Sequence, residues 1–202
     1  MSSPASQPEA AVSDLRFEQP LTGLLVSVEP LAERHREGLR TAAEAGPEIF
    51  RFMPWPGDFD RWFDEALAAP NDIPFAVVMG GAEVGSTRYL NVVPEHRRVE
   101  IGWTWVRRSA WGTGANVETK YLLMRHAFES AGLYRVEFKT DARNQRTRGA
   151  LLAAGARFEG IARRHMLLPN GPRDSAWYAV TIEDWPEVRG RLESRIQGLA
   201  AR

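Results

Sequence analysis

Apolar positions recur along this chain with two periods, about 2 and about 3.6 residues, and the order in which the periods alternate predicts its elements. Residues 24–31 (LLVSVEPL) read as a strand, and 32–45 as a polar-faced helix ended by Gly46-Pro47. Residues 50–70 are rich in aromatics (Phe52, Trp55, Phe59, Trp62, Phe63) and predict one or two short helices, interrupted by Pro54, Pro56 and Gly57. Residues 73–79 and 84–93 flank the turn Gly80-Gly81-Ala82-Glu83 as a β-hairpin. After a polar loop, 99–106 (VEIGWTWV) is another strand. The clearest helix spans 116–131, with Val117, Tyr121, Met124, Phe128 and Ala131 on one stripe, and Gly132 stops it. A strand at 134–140 precedes a helix at 144–154, closed by Gly155. Residues 158–168 and 176–181 form a last hairpin around Asn170-Gly171-Pro172, and 183–196 is a surface helix that tolerates Pro186 near its start. The order is β, helices, β-β-β, helix, β, helix, β-β, with no repeat or linker. That is one mixed α/β domain.

Composition narrows the class. The 202 residues carry 26 basic and 26 acidic side chains, a balance that points to neither nucleic acid nor an anionic membrane. Lys120 and Lys139 are the only lysines; every other cation is arginine, which suits phosphate and stacked contacts better. Cysteine is absent, which excludes disulfides and a thiolate nucleophile. No apolar run approaches the ~20 residues that span a bilayer. Residues 1–14 are rich in Ser, Pro and Ala, without a basic start or an apolar stretch, and read as a disordered tail rather than a signal peptide. A soluble, cytoplasmic protein is the expectation. His35, His96, His126 and His165 stand apart, without metal-ligand spacing.

The stretch Trp111-Gly112-Thr113-Gly114-Ala115-Asn116 lies between the strand at 99–106 and the helix at 116–131. Two glycines let the backbone close in on a ligand. The helix start behind them offers free N–H groups and the positive end of its dipole, an arrangement that suits a phosphate. No Gly-Lys-Ser/Thr follows and the pattern is not Gly-x-Gly-x-x-Gly, so neither a Walker loop nor a dinucleotide fold is supported. The plain alternative is a strand-to-helix turn capped by Thr113 or Asn116.

Three segments in this order resemble the GNAT superfamily of N-acetyltransferases, most closely its ribosomal-protein N-terminal acetyltransferase (RimJ/RimL-like) branch. They are VEIGWTWV with WGTGANVETK, Asn144-Gln145-Arg146-Thr147 leading to Gly155 and Phe158, and the closing hairpin with Asp174. The resemblance covers about 21–185, leaving 1–20 as a tail and 186–202 as a C-terminal surface helix and tail. It implies an α/β (α+β) fold: one domain around a mixed, mostly antiparallel sheet of about seven strands, with helices on both faces and a splay between strands four and five. It further implies an acetyl-CoA-dependent transfer to a primary amine, without metal or covalent intermediate, by a monomer or homodimer. The acceptor is a protein N-terminal α-amine, or else a small-molecule amine such as an amino sugar or polyamine; a non-catalytic acyl-CoA-binding module is the remaining alternative.

The resemblance also assigns roles. Gly112, Thr113, Gly114, Ala115 and Asn116 would cradle the CoA pyrophosphate with backbone N–H groups, the Thr113 hydroxyl adding a donor. Trp111 and Asn116 depart from the family pattern, and Trp111 removes the arginine contact usual at its position. Trp105 and Val106 would bind pantetheine through their main chain and steady the developing oxyanion. Glu100, a carboxylate in an apolar strand, is the first choice of general base, its pKa raised by burial; the alternative is a half-exposed carboxylate paired with Arg88 or Arg98. Asp174 is a second candidate base or amine-binding anion, or simply a hairpin surface residue near His165. Relatives' tyrosine acid corresponds to Leu151, so that acid is missing; Thr147 would hydrogen-bond the sulfur. Asn144 contacts the cofactor, caps the helix, or does both. Arg143, Arg146 and Arg148 stand where CoA phosphates would reach them, or on a solvated helix face.

Overall fold

A computed structural model describes residues 15–168 and 171–202. The expected tail at 1–14 and Asn170 of the last turn lie outside them. The elements are β1 (Leu21–Thr22), β2 (Ser27–Pro30), α1 (Arg36–Glu44), α2 (Phe59–Ala68), β3 (Ile73–Met79), β4 (Ala82–Val93), β5 (Arg98–Val106), α3 (Ala115–Arg125), β6 (Arg135–Asp141), α4 (Gln145–Ala153), β7 (Arg157–Leu168), β8 (Gly171–Thr181) and α5 (Trp185–Ala200). The strands form one open sheet in the order β1-β2-β3-β4-β5-β6-β8-β7. Every neighbouring pair is antiparallel except β5–β6. The eighth strand is the two-residue β1, so the expected fourth and fifth strands are β5 and β6.

Helices cover both faces, and strand alternation sorts the apolar side chains between them. In β3, Phe75 and Val77 join a core under α3 and α5, while Ala76 joins a second core with Leu39, Phe59, Trp62 and Phe63 of α1 and α2. Helix α5 is more than a surface helix: Trp185, Val188, Leu192 and Ile196 are buried against the first core. The expected long helix at 116–131 is regular through Arg125, then widens into a π-turn, His126–Ser130. The expected stripe is correct there: Tyr121, Met124, Phe128 and Ala131 are buried and Val117 packs beside them.

Helix α3 lies so deep that its polar residues are buried as well. Glu118, Thr119 and Lys120 are all nearly inaccessible. Thr119 Oγ1 donates to the Ala115 carbonyl at 2.7 Å. The Glu118 carboxylate accepts backbone N–H bonds from Leu24, Leu25 and Val26 at 2.7, 2.6 and 2.8 Å. This clamp explains why the strand expected at 24–31 shortens to Ser27–Pro30: those N–H groups serve a carboxylate instead of a ladder. Lys120 Nζ donates to Asn116 Oδ1 one turn back. Burial lowers the Lys120 pKa from 10.5 to about 8.

Two outcomes follow from the helix's position. Glu118→Ala leaves three N–H groups without their acceptor, that of Val26 buried, and is expected to cost about 3 kcal/mol, a fall in Tm of roughly 6 °C for a chain of this size; a Tm within ~2 °C of wild type would refute the clamp. Lys120→Met is expected to stabilise the fold most below pH 8. Between about 8 and 10.5 the unfolded chain holds a proton that the folded chain has released, so wild-type stability rises with pH. The variant's advantage in Tm should therefore shrink across that window; an advantage that grows with pH would contradict the buried ammonium.

Candidate active site

The site begins where β5 leaves β6. The parallel pair is in register only at Arg98–Arg135, Val99–Val136 and Glu100–Glu137. Beyond Glu100, β5 stays with β4 and β6 with β8. A bulge assists the departure: β5 places an extra residue between its Arg88–Gly102 and Ser86–Trp105 pairings, and Trp103 adopts φ 50°. The result is a split in the sheet, with unpaired peptide edges on both sides. Two adjoining clefts open from it, of about 400 Å³ toward the glycine turn and about 170 Å³ toward Glu100. Thr104, Asn144 and Thr147 line both.

In the larger cleft the glycine turn has the expected build. Gly112 and Gly114 have φ of 81° and 98°, a left-handed backbone that disfavours any side chain, and a Cβ at Gly114 would lie 2.5 Å from Leu25 Cδ1. Gly112, Gly114 and Asn116 line the cleft at the start of α3, whose first N–H groups have no intrahelical acceptor. Thr113 does not add a donor as expected. Its hydroxyl donates to the Ala110 carbonyl at 2.8 Å and receives the Ala115 N–H at 3.3 Å, which braces the turn internally. Trp111 replaces a family arginine but recruits another: the Arg146 guanidinium sits 3.2 Å from its ring centroid. Arg146 has no carboxylate partner among the described residues, and burial and the nearby Arg108 charge lower its pKa. Arg143 is tied to Asp141, and Arg148 to the Tyr178 hydroxyl and the Ala142 carbonyl. Of the three arginines, only Arg146 lines this cleft.

Trp105 and Val106 divide the expected main-chain role unevenly. The Arg107 N–H goes to Val84 on β4 at 2.7 Å, so strand alternation turns the Val106 N–H toward the split. The Val106 carbonyl is occupied by Trp111 Nε1 at 3.0 Å. The Trp105 carbonyl abuts Gly85 on β4 and its indole packs among Phe50 and Trp62, so this residue lines the cleft without offering its carbonyl to it. The aromatic cluster around Trp55 and Trp62 is core packing; from this region Ile49, Phe52, Met53 and Pro54 are what reach the smaller cleft.

Glu100 stands at the fork, 1% exposed, and lines the smaller cleft. Its partners are neither Arg88 nor Arg98, which bind Asp72 and Glu137. Asn91 Nδ2 donates to Glu100 Oε2 at 2.7 Å, and Lys139 Nζ lies 3.3 Å from the same oxygen. Asn144 Oδ1 accepts the Thr147 N–H at 3.1 Å, which makes it the α4 cap, while both residues still face the clefts. Asp174 is not brought to the site. It is exposed on β8, and its Oδ1 accepts the Arg164 N–H at 2.6 Å across the β7 bulge. His165 bonds Ser175 Oγ at 3.1 Å, and burial together with the charges of Lys139 and Arg173 lowers its pKa.

Four residues in or beside the smaller cleft had no signal as site residues in the sequence: Asn91, Lys120, Lys139 and Arg173. The scarcity of lysine was the only available clue, since both lysines of the chain line this cleft. Arg173 is 5% exposed, and its Nε has no partner among the described residues.

The comparisons with known proteins agree with this geometry. A GCN5-related N-acetyltransferase from Brucella melitensis superposes with a TM-score of 0.84 at 27% identity, over 90% of this chain and 86% of that one. A chain from T. thermophilus assigned to the acetyltransferases is 37% identical, with a TM-score of 0.81 over 90% and 98%. Mycobacterium smegmatis RimJ in complex with CoA-disulfide shares the fold at 24% identity, with a TM-score of 0.75 over 84% and 88%. Among curated proteins none matches this chain. The acetyltransferase (GNAT) domain family matches residues 26–157 and therefore contains both the split and the glycine turn, so the chain belongs to the GNAT acetyltransferases and transfers acetyl groups from acetyl-CoA.

Proposed function

We propose that this protein acetylates a primary amine, with a protein N-terminal α-amine as the favoured acceptor, in the cytoplasm. The observation that carries the reading is the continuity of the two clefts through the split: a phosphate cradle at one end, a buried carboxylate at the other, and Thr104, Asn144 and Thr147 between. Acetyl-CoA is the donor substrate. Its pyrophosphate fits the N–H groups at the start of α3, with Arg146 held over Trp111 as the charged contact. Its pantetheine arm fits the unpaired edge of β5. Glu100, directly or through a water, takes a proton from the acceptor ammonium. The free amine attacks the thioester carbonyl, and the Val106 N–H faces the edge where the oxyanion develops.

Two physical arguments favour an α-amine. Its ordinary pKa near ~8 makes deprotonation easier than for a lysine side chain near ~10.4. Lys139 and Arg173 beside Glu100 also repel a polycation, which weighs against polyamines. An amino sugar remains compatible with the polar lining of the smaller cleft. Direct attack needs no enzyme-bound acyl group, and the chain has no cysteine to carry one.

Thiol release from acetyl-CoA, measured against N-terminal peptides and small amines, is expected to be stimulated most by peptides; stimulation by amino sugars alone would move the acceptor to the second class, and none by any amine would overturn catalysis. Glu100→Gln should lower kcat by ~10²-fold or more while leaving acetyl-CoA affinity unchanged, and retention of full turnover would remove Glu100 from the mechanism. Arg146→Ala should weaken acetyl-CoA binding by about tenfold, the worth of one charge-assisted hydrogen bond. Calorimetry showing equal affinity would place the guanidinium outside the phosphate contact.

A further inference from the structure

Amine attack on a thioester ends with a thiolate that must be protonated or otherwise stabilised, so the following rests on the acetyl-transfer reading. The smaller cleft contains no tyrosine, histidine or cysteine among its described lining residues, and Leu151 is apolar. The cationic groups there are Lys120, Lys139 and Arg173; the neutral N–H groups of Trp103 and Asn144 are far too weakly acidic to protonate a thiolate. A guanidinium does not give up its proton in a protein. Lys139 lies against Glu100, on the same face of the sheet. Lys120 differs from both in place and in partners.

Lys120 reaches the cleft from α3, which packs under the face carrying Val99 and Ile101. Glu100 alternates to the opposite face. The two therefore meet the split from its two sides, one positioned for the attacking amine and the other for the leaving group. The lysine is 6% exposed, and Asn116 Oδ1 is its hydrogen-bond partner among the described residues. An ammonium has three N–H donors, so this one keeps donors to spare beside the cleft. Asn116 itself lines the larger cleft at the phosphate turn, so Lys120 borders the smaller cleft while bonded to a residue of the larger one, and a thioester reaching from the turn toward Glu100 would pass beside it.

We propose that the Lys120 ammonium is the proton donor to the departing CoA sulfur. The nitrogen of the tetrahedral intermediate loses its second proton to solvent; as the intermediate collapses the carbonyl re-forms, the C–S bond breaks and its electron pair remains on sulfur. An N–H bond of Lys120 then breaks to form S–H, and its electron pair stays on the lysine nitrogen. The neutral amine regains a proton from solvent when CoA departs. Burial, which brings the Lys120 pKa to about 8, matches it to a thiol leaving group. The charged groups that share its cleft are Glu100 on β5, Lys139 on β6 and Arg173 on β8, and Glu48, Arg146 and Arg195 line the adjoining one; burial, not a neighbouring charge, is what lowers its pKa.

The test compares wild type with Lys120→Met and Lys120→Arg, each first shown to be folded by its melting curve. Thiolate absorbance of bound CoA gives a readout without turnover: the CoA thiol should titrate at lower pH on wild type and on Lys120→Arg than on Lys120→Met. In the acetyl-transfer assay, wild-type turnover should fall as pH rises through about 8. Lys120→Met should be slower by ~10²-fold or more and lack that fall. Lys120→Arg keeps the charge without the transferable proton and should be as slow. Equal turnover and an unchanged pH profile in Lys120→Met overturn the proposal while leaving acetyl transfer intact. A fully active Lys120→Arg shows that charge alone suffices and overturns proton donation. Failure of wild type to bind CoA overturns the acetyl-CoA reading and this proposal together.

Discussion

Everything functional in this molecule depends on one broken pairing. Strands β5 and β6 share three residue pairs and then separate, with the bulge at Trp103 bending β5 away. A buried sheet edge without partners is ordinarily unfavourable, because each unpaired N–H or C=O forfeits a hydrogen bond that water would have supplied. Here the edges line two connected clefts, so a ligand arm with amide groups can complete them. The sheet is continuous on either side of the split, and the glycine turn and α4 border the opening.

The same split governs the electrostatics. Glu100 is buried next to Asn91 and Lys139, so its carboxylate is solvated by protein rather than by water. On the other face, α3 buries a carboxylate and an ammonium two residues apart and treats them differently. Glu118 is fully engaged by three backbone N–H groups and serves as a fastener for the segment before β2. Lys120 has one amide oxygen as partner among the described residues and borders an open cleft. A satisfied buried charge is structural; an under-satisfied one beside a ligand site is chemically available.

Much of this architecture was legible in the sequence, and the misses have physical causes. The strand at 99–106, the glycine turn and the Asn144 cap each rest on local chemistry: apolar alternation, a backbone demand for positive φ, a side-chain oxygen reaching an N–H three residues on. They stand where they were expected. The expected strand at 24–31 lost its first residues to Glu118, which is 92 to 94 positions away along the chain. Thr113 carries the right functional group but turns it onto the Ala110 carbonyl. Asp174 lies on the expected hairpin, yet the β7 bulge uses its carboxylate.

The sequence by itself determined the order of elements, which face of each is apolar, and where a glycine turn with positive φ precedes a helix. These are properties of spacing and backbone propensity within a few residues. Only the tertiary structure decided which remote polar groups share a cleft: Lys120 with Glu100 across the split, Arg146 over Trp111, and Asp174 outside. Periodicity specifies the direction in which a side chain leaves its own element. It carries no information about which atoms of another element wait there, and the chemistry of this site is made of those encounters.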